Sequence, residues 1–569
     1  MNPRYKRIRA GRGQDDAALV LRNTRVLDVF SGTWITGDIA IEDGHVVGIG
    51  ADYRGTQSID CGGRAVVPGF IDAHVHVEST LMLPAECGKA ILPRGTTTAI
   101  WDPHEIGNVF GIDGLRWAAE CSGSTPLDLK IMASSCVPSS PLESAGDRIS
   151  AQELIALREH PNVIGLAEMM NFPGVLNGDD EVMSKLDAYE GMPRDGHAPL
   201  VRGKDLCGYI AAGIRSDHEA TELEEAQEKL AKGMRILIRE GSVAKNADAL
   251  LPLLNSFSSP FISFCTDDRN PLDISEQGHI DYIIRTAIRS GVSPEVAYRS
   301  ASISAALQFH LHDRGAVAPG YLADLVVLDH VEDVAIHQVL KSGRPVGGEG
   351  WDYGHTPKAP RDNAMNVAEL EVSSLRVEGS GDQADVHVIE VIPGQIVTGR
   401  GRARLPVVEN SVVAQGDIHK MAVFERHHRT GNVGVGFTRG FGFREGAIAS
   451  SVAHDAHNLG AVGASDEAII AAARAVRDMG GGIAVVNGAG SVLAQLPLPV
   501  AGLMSNEGFS AQVEALRALH SAARGIGGVL EEPFLQLSFL ALPVIPSLKL
   551  SDLGLVDVDE FKVISPLAA

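Results

Sequence analysis

The sequence has 569 residues, 44% of them hydrophobic and 21% charged, with a formal charge of −23. That length exceeds what one hydrophobic core supports, so two or three domains are expected. The acidic balance argues against nucleic acid as a partner, because phosphate binding needs a basic face, and no apolar run reaches the length of a membrane span.

Six cysteines (Cys61, Cys87, Cys121, Cys136, Cys207 and Cys265) form no Cys-x-x-Cys pair, which fits small hydrophobes packed in a reducing compartment. Residues 1–16 are basic and polar, without the apolar segment of a signal peptide. They read as a loosely attached arm of a protein expected to be cytoplasmic. From 17 to 65, short β-rich runs alternate with turns, and the Asp43-Gly44 pair between two such runs signals a hairpin. A similar fragment returns at 315–350, so the two pieces are expected to pair into one composite β-sandwich.

Between them, 66–314 alternates strands with helical stretches. The apolar run 66–71 reads as a short buried strand leading to His74 and His76. Further strands are expected to end at Asp102, Cys136, Glu168, near His197, at His218, near Glu240 and at Asp267. Eight strands alternating with helices over about 250 residues is the arithmetic of a (β/α)8 barrel. A polar linker at 345–365 opens a further region, 360–569, with strand-like runs, glycine-rich loops and one strong helix, DEAIIAAARAVRDMG. The expected fold class is α/β: a TIM-like barrel, a small flanking β-sandwich built from both sides of it, and a C-terminal α+β domain.

Barrel active sites lie at the C-terminal ends of the strands. The polar residues expected there are His74, His76, Glu168, His197, His218 and Asp267. On a strand, residues two apart share a face, so the imidazoles of His74 and His76 can converge. Each residue alone is as well explained by capping or core packing. Together, four imidazoles and two carboxylates suit one or two divalent metals holding a hydrolytic water.

The order His-x-His, acidic residue, His, His, Asp resembles the amidohydrolase superfamily. The stretches PGFIDAHVHVEST, DPHEIGNV, GLAEMMNFPGV, AGIRSDHE and CTDDRNP are similar to the adenine deaminase family within it. So are VFERHHRTGNVGVGF and GAIASSVAHDAHNLGAVG near the C-terminus. The resemblance runs from about residue 17 through the last domain. It implies hydrolytic deamination of adenine to hypoxanthine and ammonia in purine salvage, by a homo-oligomer acting on a small purine base. It also implies two metals, with Glu168 in the bridging position that many relatives fill with a carbamylated lysine. Lys130, on the third strand, then reads as structural. By the same resemblance His74, His76 and Asp267 hold one metal, and His197 and His218 the other. Manganese or iron is favoured, and zinc fits the nitrogen and oxygen donors as well.

Asp267 and Glu168 are the expected catalytic residues, Asp267 as proton acceptor. Asp268 is expected to bond a ring nitrogen of the base, or else to cap the loop before Arg269. The loop Asp102-Pro103-His104-Glu105 is expected to supply a supporting or auxiliary metal contact or a contact to substrate, with Glu105 the substrate candidate, or else to cap the next helix. Glu78 reads as supporting or structural, and Arg239 and Glu240 as wall candidates. His427, His428, His454, Asp455 and His457 look like ligands on paper, but they suit hydrogen-bonded turns in a glycine-rich loop, with a lid or wall as the functional alternative. A cyclic amide hydrolase or N-deacetylase would share the metal set. A non-catalytic scaffold would show gaps in it.

Overall fold

The structure, a computed structural model, describes residues 2–568 and is a mixed α/β protein. The N-terminal stretch is not loose. Pro3–Gly11 is a helix whose first turn is capped by the Asn2 side chain. Its Ala10 packs with Val20 and Ala40, and Arg9 pairs with Asp15 at 2.6 Å. Only Ala10 of this helix is buried, so its sequence carries almost no apolar periodicity and resembles an arm.

The hairpin forms as expected. Thr33–Glu42 and His45–Gly50 pair antiparallel across Asp43 and Gly44, whose φ values of 52° and 71° are the left-handed pair a tight two-residue turn requires. The flanking fragments meet where Ala65–Pro68 pairs antiparallel with Leu325–His330, and both belong to one eight-stranded sheet.

The run 66–71 is not one strand. Ala65–Pro68 belongs to this flanking sheet, and Phe70–Val75 starts a separate parallel set. The chain changes sheets at Gly69, whose N–H donates to the Asp324 carbonyl at 2.8 Å. A Cβ at that position would sit 2.3 Å from Thr97 Oγ1, so the crossing point has no room for a side chain.

Phe70–Val75, Thr96–Trp101, Asp128–Ala133, Val163–Met169 and Arg194–Gly196 pair in chain order, all parallel. Ser216–Asp217, Arg235–Arg239 and Ile262–Cys265 form a second parallel set. The Arg215 N–H donates to the Arg194 carbonyl at 3.1 Å and links the fifth strand to the sixth. A parallel bridge between Val75 and Asp267 links the eighth back to the first. The first two strands are buried along their whole length, as parallel strands covered on both faces must be.

The C-terminal region holds a nine-stranded sheet and a three-stranded sheet. The helix legible in the sequence is present as Asp466–Asp478, capped by Ser465. A second and longer helix, Phe509–Gly525, was not expected. Its buried stripe of Val513, Leu516, Leu519 and Ala523 is diluted by the alanines, Ser510 and Ser521 around it. One hydrophobic cluster runs from Val75 and Trp101 through to Ile448, Leu537 and Leu540, so this region packs directly onto the parallel strands. Among the described residues, no helix is long and apolar enough to cross a membrane.

Glu532 lies in that seam, where Asn270 Nδ2 donates to its Oε2 at 3.2 Å. Burial, reinforced by Asp273, pushes its carboxyl up from 4.5 to about 8. The folded state thus keeps a proton that the unfolded chain releases, and stability falls as pH rises through that window. Glu532→Gln is neutral at every pH and is expected to remove this slope. Denaturant midpoints should show the variant gaining on the parent between pH 4.5 and about 8. Parallel curves would contradict it.

Candidate active site

The strand ends bring all six expected residues together. Asp72, His74 and His76 alternate onto one face of the first strand and its continuation, and Asp72 anchors that strand by accepting from Thr266 Oγ1 at 2.5 Å. Asp267 follows the eighth strand with φ of 55°, uncommon for a residue with a side chain and held here by its neighbours. Its N–H donates to the His74 carbonyl at 3.0 Å, and its own carbonyl accepts from His76 N–H at 3.2 Å.

Glu168 stands at the centre. Its Oε1 lies 3.6 Å from His74 Nε2 and 3.4 Å from His76 Nε2, while its Oε2 lies 2.5 Å from His197 Nδ1 and 3.3 Å from His218 Nε2. One carboxylate thus spans two histidine pairs. Asp267 Oδ1 faces the first pair at 3.4 and 3.1 Å, and its Oδ2 accepts from Arg239 Nη1 at 2.6 Å. Burial works against charge at both carboxylates. His197 beside Glu168 and Arg239 beside Asp267 nonetheless hold the two groups well below the usual carboxylate range.

The donors fit a divalent cation. His74 and His76 turn Nε2 atoms toward each other at 3.1 Å. Within both the His74, His76, Asp267 group and the His74, Glu168, His218 group, the candidate ligand atoms lie within 4.8 Å of one another. His197 Nε2 and His104 Nε2 are buried without a hydrogen-bond partner among the described residues. An all-nitrogen-and-oxygen set of this kind accepts several divalent metals.

One neighbour, Glu219, escaped the sequence reading. Glu219 lies 3.5 Å from His218 Nε2 and 3.8 Å from His197 Nδ1, and pairs with Arg239. Strict alternation would send it away from His218. The sixth strand, however, spans only Ser216–Asp217, so consecutive residues beyond it can face the same side. Asp268 breaks alternation for the same reason. The eighth strand stops at Cys265, and Asp267 and Asp268 both border the cavity. Ser79 Oγ donates to Asp268 Oδ1 at 2.5 Å, and burial, opposed by His454, pushes the Asp268 carboxyl up to about 6. His104, on the loop expected to supply an auxiliary contact, has Nδ1 3.1 Å from Asp102 Oδ2 and 3.5 Å from Glu168 Oε1.

Glu105 does not reach the cavity surface. It is fully buried, with Oε1 3.1 Å from Ser79 Oγ and 3.0 Å from His454 Nδ1. It supports a wall residue instead of touching the space itself. Glu78 accepts from Trp101 Nε1 at 2.8 Å and from Ile106 N–H at 3.1 Å, a structural role. Glu240 accepts the Ala247 N–H at 3.0 Å. Lys130 lies within 3.4 Å of Asn162 Oδ1.

The cavity is walled on one side by the histidines and carboxylates and on the other by Ile396, His454, Asp455, Phe539, Leu542 and Ile545. The C-terminal region therefore completes it. His427 and His428 fit the turn reading, their Nε2 atoms bonding the carbonyls of Ala456 at 2.7 Å and Ala145 at 2.9 Å. His454 and Asp455 are wall residues. Two buried basic side chains fix this wall. Lys549 Nζ donates to the carbonyls of Ile396 at 2.6 Å and Phe539 at 2.8 Å. Arg426 donates to the carbonyls of His457, Ala364 and Ala501, tying the loop that carries His454 to the linker.

Residues 65–346 match the model of the amidohydrolase family, and residues 395–562 match that of the adenine deaminase C-terminal domain. An adenine deaminase from Brucella suis is 50% identical over 560 residues, covering 98% of this chain and 96% of that one. Another, from Cereibacter sphaeroides, is 50% identical over 559 residues and covers 98% of each. A third, from Methylobacterium nodulans, is 49% identical over 98% of this chain and 99% of its own length. Similarity at this level from end to end, over a buried histidine and carboxylate cluster, shows that the chain belongs to the adenine deaminase family of the amidohydrolases.

Proposed function

We propose that this chain hydrolyses adenine to hypoxanthine and ammonia in purine salvage. The observation that carries the reading is Glu168, whose two oxygens serve separate histidine pairs beneath a small cavity whose far wall carries Ile396, Phe539, Leu542 and Ile545 beside His454 and Asp455. The ring of eight parallel strands reads as a (β/α)8 barrel spanning 66–314, with a composite flanking domain from 17–65 and 315–350 and a C-terminal domain from 360. Two divalent metals, manganese or iron in preference to zinc, suit His74, His76 and Asp267 on one side and His197 and His218 on the other, with Glu168 between them. Metal bound there supplies a water whose pKa is lowered toward neutrality.

The chain's own groups account for the proton traffic. Arg239 engages Asp267 Oδ2, leaving Oδ1 to take a proton from the water that attacks the amino-bearing carbon. The same oxygen returns the proton to the departing nitrogen, so that water and adenine yield hypoxanthine and ammonia. Asp268, beside it on the cavity surface, suits a hydrogen bond to the base.

The test is ammonia release from a panel of purine bases, on protein loaded separately with manganese, iron and zinc. Hydantoin and dihydropyrimidine serve as counter-substrates. Ammonia from adenine and no opening of the cyclic amides is the expected result. The reverse pattern would assign the site to cyclic amide hydrolysis.

A further inference from the structure

One buried polar cluster lies outside the expected metal ligands. Glu105, His454 and His457 bring candidate ligand atoms within 4.8 Å of one another, but the hydrogen bonds argue against a cation there. His457 Nδ1 accepts the Ala453 N–H at 3.2 Å. The neutral ring therefore carries its proton on Nε2 and offers the cluster no lone pair. His454 Nδ1 already faces Glu105 Oε1 at 3.0 Å.

One atom of the cluster borders the cavity unsatisfied. His454 Nε2 has no hydrogen-bond partner among the described residues, although the residue is only 3% exposed and lines the cavity. Asp268 Oδ1 lies 3.9 Å away, beyond hydrogen-bond reach. The ring cannot turn freely to find another partner. It stacks on Phe539 with centroids 4.5 Å apart and planes 16° from parallel, and Glu105 fixes its other nitrogen. A buried donor without an acceptor is costly unless a ligand supplies one. Burial disfavours the imidazolium, but Asp268 and Glu105 outweigh it and lift His454 to about 9, so Nε2 carries a proton at neutral pH.

We propose that His454, supplied by the C-terminal region, is a substrate-contacting residue. Its Nε2–H donates to a ring nitrogen of the bound base, and Asp268 accepts from the adjacent ring N–H. This rests on the reading of the site as a purine-base hydrolase and extends it to specificity. A donor and an acceptor side by side match an edge that pairs an acceptor nitrogen with an N–H, as N3 or N7 pairs with the free N9–H of adenine. A nucleoside has lost that N–H, leaving the Asp268 carboxylate unmatched. The pair therefore selects free bases over nucleosides.

The experiment crosses protein variants with base analogues. The parent, His454→Ala and His454→Gln are assayed on adenine, 3-deazaadenine and 7-deazaadenine, with metal content and melting temperature measured on each protein. His454→Ala is expected to lower kcat/KM on adenine by roughly 10- to 100-fold, the range for a hydrogen bond from a charged donor, at unchanged metal content. The penalty for one of the two deaza analogues should vanish in that variant, and His454→Gln, which keeps an N–H donor, should restore part of it. Unchanged penalties for both analogues, or activity loss that merely follows metal loss, would overturn the contact. A parent inert toward adenine would instead reject the underlying function, and the contact with it. The two failures are separated by the parent's own activity.

Discussion

Asp267→Asn is expected to keep the protein folded and metal-bound while lowering kcat by ~10²- to 10⁴-fold, the usual range for loss of a positioned general base. The amide preserves shape and can still present an oxygen to His74 and His76, which now face Asp267 Oδ1 at 3.4 and 3.1 Å. It removes the charge that Arg239 holds well below the ordinary carboxylate range, and with it the capacity to take a proton at neutral pH. Arg239 would keep its partner in Glu219, so the guanidinium is not left unpaired. Single-turnover rates, with elemental analysis on the same preparation, check the split. Near-normal turnover would remove Asp267 from the proton-transfer role, and an empty site would make it a ligand before anything else.

Glu168→Ala should fail differently. Because one oxygen faces His74 and His76 and the other faces His197 and His218, its removal strips both halves at once. It also brings four imidazoles together without the charge that offsets them. Metal content and turnover are both expected to collapse, turnover by ~10³-fold or more for the several kcal/mol that bound metal supplies. Metal titration separates the two variants. Asp267→Asn should bind near the parent's stoichiometry, and Glu168→Ala should not. Full metal retention in Glu168→Ala would show that the carboxylate does not bridge.

The architecture was legible because parallel strands alternate with helices at a fixed rhythm, and because every expected ligand stands at a strand end. His74, His76, Glu168, His197, His218 and Asp267 needed only that placement. Residues beyond the strand ends were harder. Period-two reasoning holds while the backbone stays extended, so Glu219 beside His218 drew no role, and Asp268 was expected on the base although alternation with Asp267 alone would turn it elsewhere. Short sixth and eighth strands release both into loops. The sheet change at Gly69 was hidden for another reason: Pro68-Gly69 signals a turn, but the apolar residues around it do not record which of two sheets each joins. Least legible was the far wall. A wall was one reading of His454 and Asp455, but nothing local to Phe539, Leu542 or Ile545 says that they border a cavity whose opposite side is built from His76 and Glu168. Such a contact spans most of the chain and leaves no periodic trace.

That wall has a consequence for how the protein comes into being. Chains fold from the N-terminus as they leave the ribosome, and the residues through Asp267 emerge long before Phe539, Leu542 and Ile545. Until they do, the cavity lacks the apolar side chains of its far wall. Closure comes only with the final stretch of synthesis, when Lys549 secures the carbonyls of Ile396 and Phe539.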